Sequence, residues 1–158
     1  MQSDFETEYD KYGVMLYKIA FLYFGNAADT EDALQEVFIK LLYRAPSFRD
    51  EEHKKAWLIR TTQNQCLDML KKGREKASDV SEFSVSHRCD DNDLRLDVQN
   101  KIIALSERYK SVIILFYYYD YSIKEIAHTL KISTSAVKMR LIRAREQLKT
   151  ELEEYNNE

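Results

Sequence analysis

The sequence predicts an all-α protein with two small helical domains, a polar linker between them and a helix-turn-helix in the C-terminal domain. Only three Gly and one Pro occur among 158 residues, and this scarcity of turn-forming residues favours long helices over a β fold. Apolar residues recur at three- and four-residue steps in both halves of the chain, as on the buried face of a helix. Residues 74–93, in contrast, are polar and without sustained periodicity, which is typical of a linker.

Composition and charge exclude several classes of protein. The chain is 44% hydrophobic and 32% charged, which is typical of a globular protein. Because the net charge is −3, any DNA contact has to come from a local basic patch. Cys66 and Cys89 are too few for a disulfide framework. No apolar run reaches the roughly 20 residues of a membrane span, and the acidic N-terminus lacks signal-peptide features. We therefore expect a cytoplasmic protein with no membrane insertion of its own.

The predicted N-terminal domain comprises residues 1–73 and begins with a helix from about Asp4 to Phe24. Ser3 and Glu6 have the spacing of a capping box, and Gly25 stands where a left-handed helix stop belongs. Apolar residues at helical spacing predict one buried stripe on this helix. Its members are Phe5, Tyr9, Tyr12, Leu16, Ile19 and Tyr23.

Two further helices complete this domain. The second is predicted from a cap at Asp29 or Thr30 to about Arg44, because the residue before Pro46 avoids helical geometry. Its inward residues are Ala33, Leu34, Val37, Phe38 and Leu41.

The third helix is predicted after the polar loop Ser47–Glu52, running to about Lys72 and stopping at Gly73. Residues 74–93 would then form the linker, although the same polar segment is compatible with a loop inside one larger domain.

The predicted C-terminal domain comprises residues 94–158. Two helices are predicted, at about Leu94–Leu105 and Glu107–Tyr118, with Ser106 as the cap between them. The helix-turn-helix follows over residues 122–148, and its pattern is that of a DNA-binding motif whose second helix enters the major groove.

Local signals define each part of the helix-turn-helix. Ser122 and Glu125 form a capping box, and Ser133 caps the second helix after a tight turn. Lys131 stands at the turn position often held by Gly, so it has to adopt a positive φ at a cost of about 1 kcal/mol. The residues predicted to face inward are Ile126, Ala127, Leu130, Val137, Leu141, Ala144 and Leu148.

A basic stripe follows the second helix of this motif. Six basic residues and one acidic residue, Glu146, lie between Lys131 and Lys149. A phosphate backbone would dock on such a stripe. The alternative is an ordinary solvated helix face. The outward basic residues are Lys138, Arg140, Arg143 and Arg145.

Two long segments resemble the extracytoplasmic-function (ECF) group of the sigma-70 family, the specificity subunits of bacterial RNA polymerase. ALSERYKSVIILFYYYDYSIKEIAHTLKISTSAVKMRLIRAREQL is similar to the family's C-terminal domain, and DTEDALQEVFIKLLYRAPSFRDEEHKKAWLIRTTQNQCLDMLKK to its N-terminal domain. The resemblance implies a sigma factor that directs transcription initiation by reading the −10 and −35 promoter elements. Its implied partners are core RNA polymerase (the β′ clamp helices and the β subunit), promoter DNA and an anti-sigma factor.

The resemblance also assigns residues. The positions matching those that bind polymerase are Asp32, Gln35, Glu36 and Phe38, although Phe38 is compatible with a core role. In the family the third helix and the loop before it read the −10 element. The matching positions are the loop Ser47–Glu52 and Trp57, Arg60, Asn64, Asp68 and Lys71, with Lys54, Lys55 and Lys72 supplying further phosphate attraction. Trp57 is alternatively a core residue, on a stripe with Leu67 and Leu70. Those matching the −35 reader are Thr134, Ser135, Lys138, Met139, Arg140, Ile142 and Arg143.

Within the −35 set, Thr134 and Arg140 suit phosphates, whereas Met139 and Ile142 suit thymine methyl groups. No catalytic motif is present in the sequence, and His87 with Cys89 makes at most half of a metal site. We therefore predict neither an enzyme nor a cofactor or metal. The alternatives are a dimeric helix-turn-helix regulator, which would need a palindromic site, and a helical adaptor that has lost DNA binding.

Overall fold

A computed structural model describes residues 2–77 and 94–156, with side chains for residues 5–75 and 98–149. The chain divides into two compact units, residues 1–88 and 89–158. All regular structure in the described ranges is helical, which confirms the predicted all-α class with two helical units. No helix in these ranges is long and apolar enough to cross a bilayer.

Three mutually packed helices form the first unit: α1 (Gln2–Phe24), α2 (Ala27–Tyr43) and α3 (Glu51–Ala77). Its core contains side chains with essentially no solvent exposure from all three helices, each stabilising the fold by about 1.5–3 kcal/mol through burial. Leu16 and Ile19 come from α1, Val37 from α2, and Leu58 and Ile59 from α3. The long side chains on the opposite helix faces therefore remain available at the surface.

The start of α2 differs from the prediction. The cap is Asn26, whose Oδ1 accepts a hydrogen bond from the Asp29 backbone N–H at 2.8 Å. Thr30 is buried instead, and its hydroxyl donates to the Asn26 carbonyl at 2.6 Å. Asn belongs to the same group of short polar caps as Asp and Thr, so residue type alone does not separate Asn26 from the two predicted candidates. The predicted stop at Gly25 is confirmed by its φ of 73°.

The end of α3 also differs from the prediction, because the helix continues through Gly73 to Ala77. A Cβ placed on Gly73 would meet nothing within 4 Å, so neither a close approach nor a turn requires glycine there. Gly is permissive in an exposed helix at a cost of about 1 kcal/mol relative to Ala. Residues 74–77 of the predicted linker are therefore helical, and residues 78–93 lie outside the described ranges.

The second unit contains α4 (Leu94–Ala104), α5 (Glu107–Ile113), α6 (Ile123–Leu130) and α7 (Thr134–Asn156). A π-helical segment, Ile114–Tyr118, follows α5 directly. The single helix predicted here is therefore α-helical in its first part and π-helical in its second. Ser106 occupies the N-cap position of α5, but its side chain makes no capping hydrogen bond among the described residues. The core is formed by Val112, Ile114, Leu115, Ile126, Val137 and Ala144.

Candidate functional site

Local hydrogen bonds set the junction between α6 and α7. Both halves of the predicted capping box are present: Ser122 Oγ accepts from the Glu125 N–H at 3.1 Å, and Glu125 Oε1 accepts from the Ser122 N–H at 3.4 Å. Lys131 adopts the left-handed conformation with φ 58° and ψ 46°, as predicted. Ser133 then caps α7 by accepting from the Ala136 N–H at 3.0 Å. The helix-turn-helix geometry is thus confirmed.

One face of α7 is buried and the opposite face projects outward. Val137, Leu141 and Ala144 are at most 2% exposed and hold the helix on the unit. The outward face, which we call the α7 surface, combines hydroxyl, cationic and apolar side chains. Its exposed members are Thr134, Ser135, Lys138, Met139, Ile142 and Arg143.

Arg140, also predicted to contact DNA, lies at the edge of this surface and is half-buried. Burial and the neighbouring guanidinium of Arg108 lower the pKa of Arg140. Arg108 is exposed in the first turn of α5, so two cations from different helices lie close enough to repel each other. A phosphate between them would relieve that repulsion. Sequence reasoning missed Arg108 because no local pattern links two residues on different helices.

Arg145, part of the predicted basic stripe, is engaged within the unit. Its Nε donates to the Tyr117 hydroxyl at 2.6 Å, and its guanidinium lies 5.5 Å from the ring centroids of Phe116 and Tyr117. The contact ties α7 to the π-helical segment. The stripe therefore includes one residue whose charge is directed toward its own domain.

On α2, the predicted residues divide between the surface and the core. Asp32, Gln35 and Glu36 are exposed. Phe38 is only 2% exposed, and its ring packs 5.2 Å from that of Tyr9 and 5.8 Å from that of Phe5. Phe38 is therefore a core residue of the α1–α2 contact. It reaches the outside only as part of the wall of an open groove of about 410 Å³ that Gln35 also lines.

Sequence reasoning missed the C-terminal half of the exposed α2 face. Ile39 is 48% exposed and Tyr43 is 79% exposed. Both continue the helical spacing of Asp32 and Glu36, at seven and eleven residues beyond Asp32. We call Asp32, Gln35, Glu36, Ile39 and Tyr43 the α2 surface. The helical spacing of Ile39 and Tyr43 is visible in the sequence, but apolar residues at helical spacing predict a buried face before they predict an exposed one.

The predicted −10 residues share one face of α3, which we call the α3 surface. Asn64, Asp68 and Lys71 are exposed, whereas Arg60 and Trp57 are half-buried. Spacings of three and four residues keep all five in line over roughly 21 Å of helix. Asp68 pairs with Lys72 at 3.2 Å on the exposed side, so this surface carries both signs of charge.

Trp57 does not lie on the buried face of α3. That face passes through Leu58, Ile59 and Cys66, and Trp57 packs edge-on against Phe48 of the preceding loop, with ring centroids 5.6 Å apart. Leu67 and Leu70, which were predicted to share an apolar stripe with Trp57, are half-buried, as Trp57 itself is, so none of the three belongs to the fully buried face. Trp57 thus braces the loop rather than the helical core.

No metal centre is evident in the described ranges, where no group of three or more His, Cys, Asp or Glu side chains is placed to hold an ion. Cys66 is buried and is not part of a disulfide. His87 and Cys89 lie outside the described residues.

Comparison with known proteins gives consistent matches in both units. A family model described as sigma-70 region 2 matches residues 9–76, and one described as sigma-70 region 4 matches residues 95–148. The RNA polymerase sigma factor SigV of Bacillus subtilis (strain 168) is 32% identical over 139 residues, spanning 86% of this chain and 83% of the relative. The ECF RNA polymerase sigma factor SigW of the same strain is 28% identical, spanning 96% and 90%.

Two solved structures share the fold. The sigma factor RpoE, in complex with the anti-sigma factor NepR from Bartonella quintana, superposes with a TM-score of 0.72 at 22% identity, over 95% of this chain and 97% of that chain. CnrH, in complex with the cytosolic domain of CnrY, superposes with a TM-score of 0.67 at 23% identity, over 97% and 90%.

Proposed function

This chain belongs to the sigma-70 family as an ECF sigma factor, a class that binds RNA polymerase and recognises promoters, and on this premise we propose how its surfaces divide that work. Residues 1–77 bind core polymerase and read the −10 element, residues 94–158 read the −35 element, and the segment between them is a linker. The chain acts by recognition and strand opening, without catalysis of its own, in the cytoplasm.

The observation that carries the proposal is the exposed α7 surface. The capping box at the start of α6 and the Ser133 cap at the start of α7 set the orientation of the helix that bears it. Lys138 and Arg143 can donate to guanine edges or phosphates, while Met139 and Ile142, each nearly half exposed, can contact thymine methyl groups. Thr134 and Arg140 bind the flanking phosphates, and Arg108 adds a second guanidinium beside Arg140. Phosphate contacts of this kind position the duplex, while the base contacts specify its sequence.

The α2 surface is the proposed polymerase contact. Acidic and amide groups at its N-terminal end suit a basic partner helix, and Ile39 and Tyr43 extend it with an exposed apolar end. Protein interfaces commonly combine an apolar, aromatic centre with charged groups at the rim that steer association. The expected partner of this surface is the β′ clamp helices, and the β subunit is a further expected partner of the chain.

The α3 surface is the proposed −10 reader. Asn64 can bond base edges, while Arg60 and Lys71 attract phosphates. Asp68 is paired with Lys72, which limits the net positive charge of this surface. A surface of mixed charge suits unstacked single-stranded bases better than a duplex backbone, because single-strand recognition relies on contacts to the splayed bases themselves.

An anti-sigma factor is the proposed regulator. The two structural neighbours are recorded with NepR and CnrY respectively, and an exposed apolar end of the α2 surface is the kind of patch that a protein partner covers.

Reconstitution tests the proposal directly. Core bacterial RNA polymerase, this protein and genomic DNA are combined, and the 5′ ends of the transcripts are sequenced. We expect new start sites with two spaced upstream motifs that are absent without the protein. Binding to duplex DNA without any complex with core polymerase would instead favour a stand-alone helix-turn-helix regulator.

A further inference from the structure

A network of charged side chains joins the middle of α1 to the first turn of α3. Lys11 Nζ donates to Glu51 Oε2 at 2.8 Å, and the Tyr12 hydroxyl donates to the same oxygen. Lys54 Nζ donates to Glu8 Oε1 at 2.8 Å and lies 3.8 Å from Glu51 Oε1. The network therefore fixes where α3 begins relative to α1.

Glu51 and Lys54 of this network have pKa values shifted in the direction that favours their charged forms. Hydrogen bonds from Lys11 and then from Tyr12 lower the pKa of Glu51 to about 2, and the hydrogen bond to Glu8 raises the pKa of Lys54. Lys11 and Glu51 are more than half exposed, whereas the side chains of Lys54 and Glu8 are 20% and 22% exposed. Exposed ion pairs contribute little to stability, so the more buried Lys54–Glu8 pair is the stronger restraint.

Lys54 connects this network to the loop before α3, residues 44–50. Its Nζ lies 5.9 Å from the centroid of the Phe48 ring, and the ring packs edge-on against His53 at 5.4 Å and Trp57 at 5.6 Å. The loop backbone is tied down beside that ring, because His53 Nδ1 accepts from the Arg49 N–H at 3.1 Å. Glu8 thus reaches the loop through Lys54 and Phe48.

The ammonium of Lys54 has little freedom to serve as a general phosphate contact. Among the described residues, none donates a hydrogen bond to Oε2 of Glu8, which is buried. Removing Lys54 would therefore leave a partly desolvated carboxylate without its cation. The neighbouring Lys55 is exposed and provides the natural comparison.

We propose that Glu8 and Lys54 are positioning residues, which hold the loop 44–50 and the first turn of α3 in the geometry that selects the −10 sequence. This inference rests on the proposed function. It assigns a role in promoter specificity to α1, which carries none of the predicted −10 residues. Lys54 acts through Phe48 and the loop, whereas Lys55 acts on phosphates of any sequence.

The test uses holoenzyme made from core polymerase and each variant, with two forked promoter fragments whose non-template strand is single-stranded at the −10 position. One fragment carries the −10 sequence found by 5′-end mapping and the other a scrambled sequence. The readout is sequence preference, measured as the Kd for the scrambled fragment divided by the Kd for the −10 fragment. Lys54→Met and Glu8→Gln should each lower this ratio, by about tenfold for residues of one coupled network.

Matched variants separate positioning from charge. Lys55→Met should weaken both fragments alike and leave the ratio unchanged, because a phosphate contact carries no sequence information. The Glu8→Gln, Lys54→Met double variant should lower the ratio no further than Lys54→Met alone. Lys54→Arg keeps the cation and should retain most of the ratio, so it tests the inference even if Lys54→Met does not fold. An unchanged ratio in Lys54→Met, or an equal loss in Lys55→Met, would overturn the inference alone. A wild-type holoenzyme without any preference would overturn the proposed function with it.

Discussion

The α7 surface and the α3 surface each line up short polar and cationic groups along one helix, yet they differ in charge and in support. The α7 surface has no acidic member, and its helix is set by caps within a few residues of it. The α3 surface contains Asp68, paired with Lys72, and the first turn of its helix is paired with Lys11 and Glu8 of α1. A surface of one sign suits the dense phosphates of a duplex, whereas a helix face of mixed charge suits separated bases.

The largest expected effect is the destabilisation of one unit while the other unit keeps its stability. Leu141→Ala removes a buried side chain under the α7 surface and should cost about 2–5 kcal/mol. Trp57 is the only Trp of the chain, so its fluorescence reports on the first unit. We expect Leu141→Ala to shift the far-UV circular dichroism transition and leave the Trp57 transition in place.

Ile59→Ala in α3, whose side chain is 1% exposed, is the matched control and should shift the Trp57 transition to lower temperature. If both probes moved together in both variants, the two units would unfold as one, and the comparison between independent readers would fail.

The second largest effect is expected when cations are removed from the α7 surface, which tests the charge difference between the two surfaces. Lys138→Ala with Arg143→Ala should weaken binding to −35 duplex by about a hundredfold, since each specific base contact contributes roughly 1–3 kcal/mol. Binding to core polymerase should not change. Duplex titrations at several salt concentrations provide the measurement, with Lys124→Ala on the exposed face of α6 as the control. Equal losses of duplex and polymerase binding would contradict the division of labour.

A moderate effect is expected at the α2 surface, which we propose as the polymerase contact. Asp32→Ala with Gln35→Ala should reduce affinity for core polymerase by about tenfold, because charged rim groups steer association and exclude wrong partners. The isolated protein should keep its thermal stability and its −35 duplex affinity. Asp10→Ala, another exposed acid of the first unit, controls for net charge, and a similar loss there would assign the effect to charge alone.

The smallest effect concerns the turn that sets the α7 surface. Lys131 has φ 58°, so Lys131→Gly should stabilise the second unit by up to about 1 kcal/mol by relieving the left-handed strain. Lys124→Gly, inside α6, should destabilise by about the same amount. Thermal unfolding measures both. Destabilisation by Lys131→Gly would show that its side chain contributes more than its backbone conformation costs.

Prediction succeeded where the determining contacts are close along the chain. Ser122 and Glu125 cap each other across three residues, Ser133 caps α7 across three residues, and Gly25 stops α1 in its own turn. Prediction failed where several residue types satisfy one geometry. Asn26, Asp29 and Thr30 are interchangeable as caps, and Gly73 permits a helix end without requiring one.

The sequence by itself determined the helices, the helix-turn-helix and the outward face of α7, because periodicity and capping act within one or two turns. Only the tertiary structure decided that Phe38 packs on Phe5 and Tyr9, that Arg145 binds Tyr117, and that Lys54 joins Glu8 to Phe48. Most of these partners are separated by 28 to 46 residues. The direction in which each side chain points therefore depends on how helices pack against one another, and no local pattern records that packing.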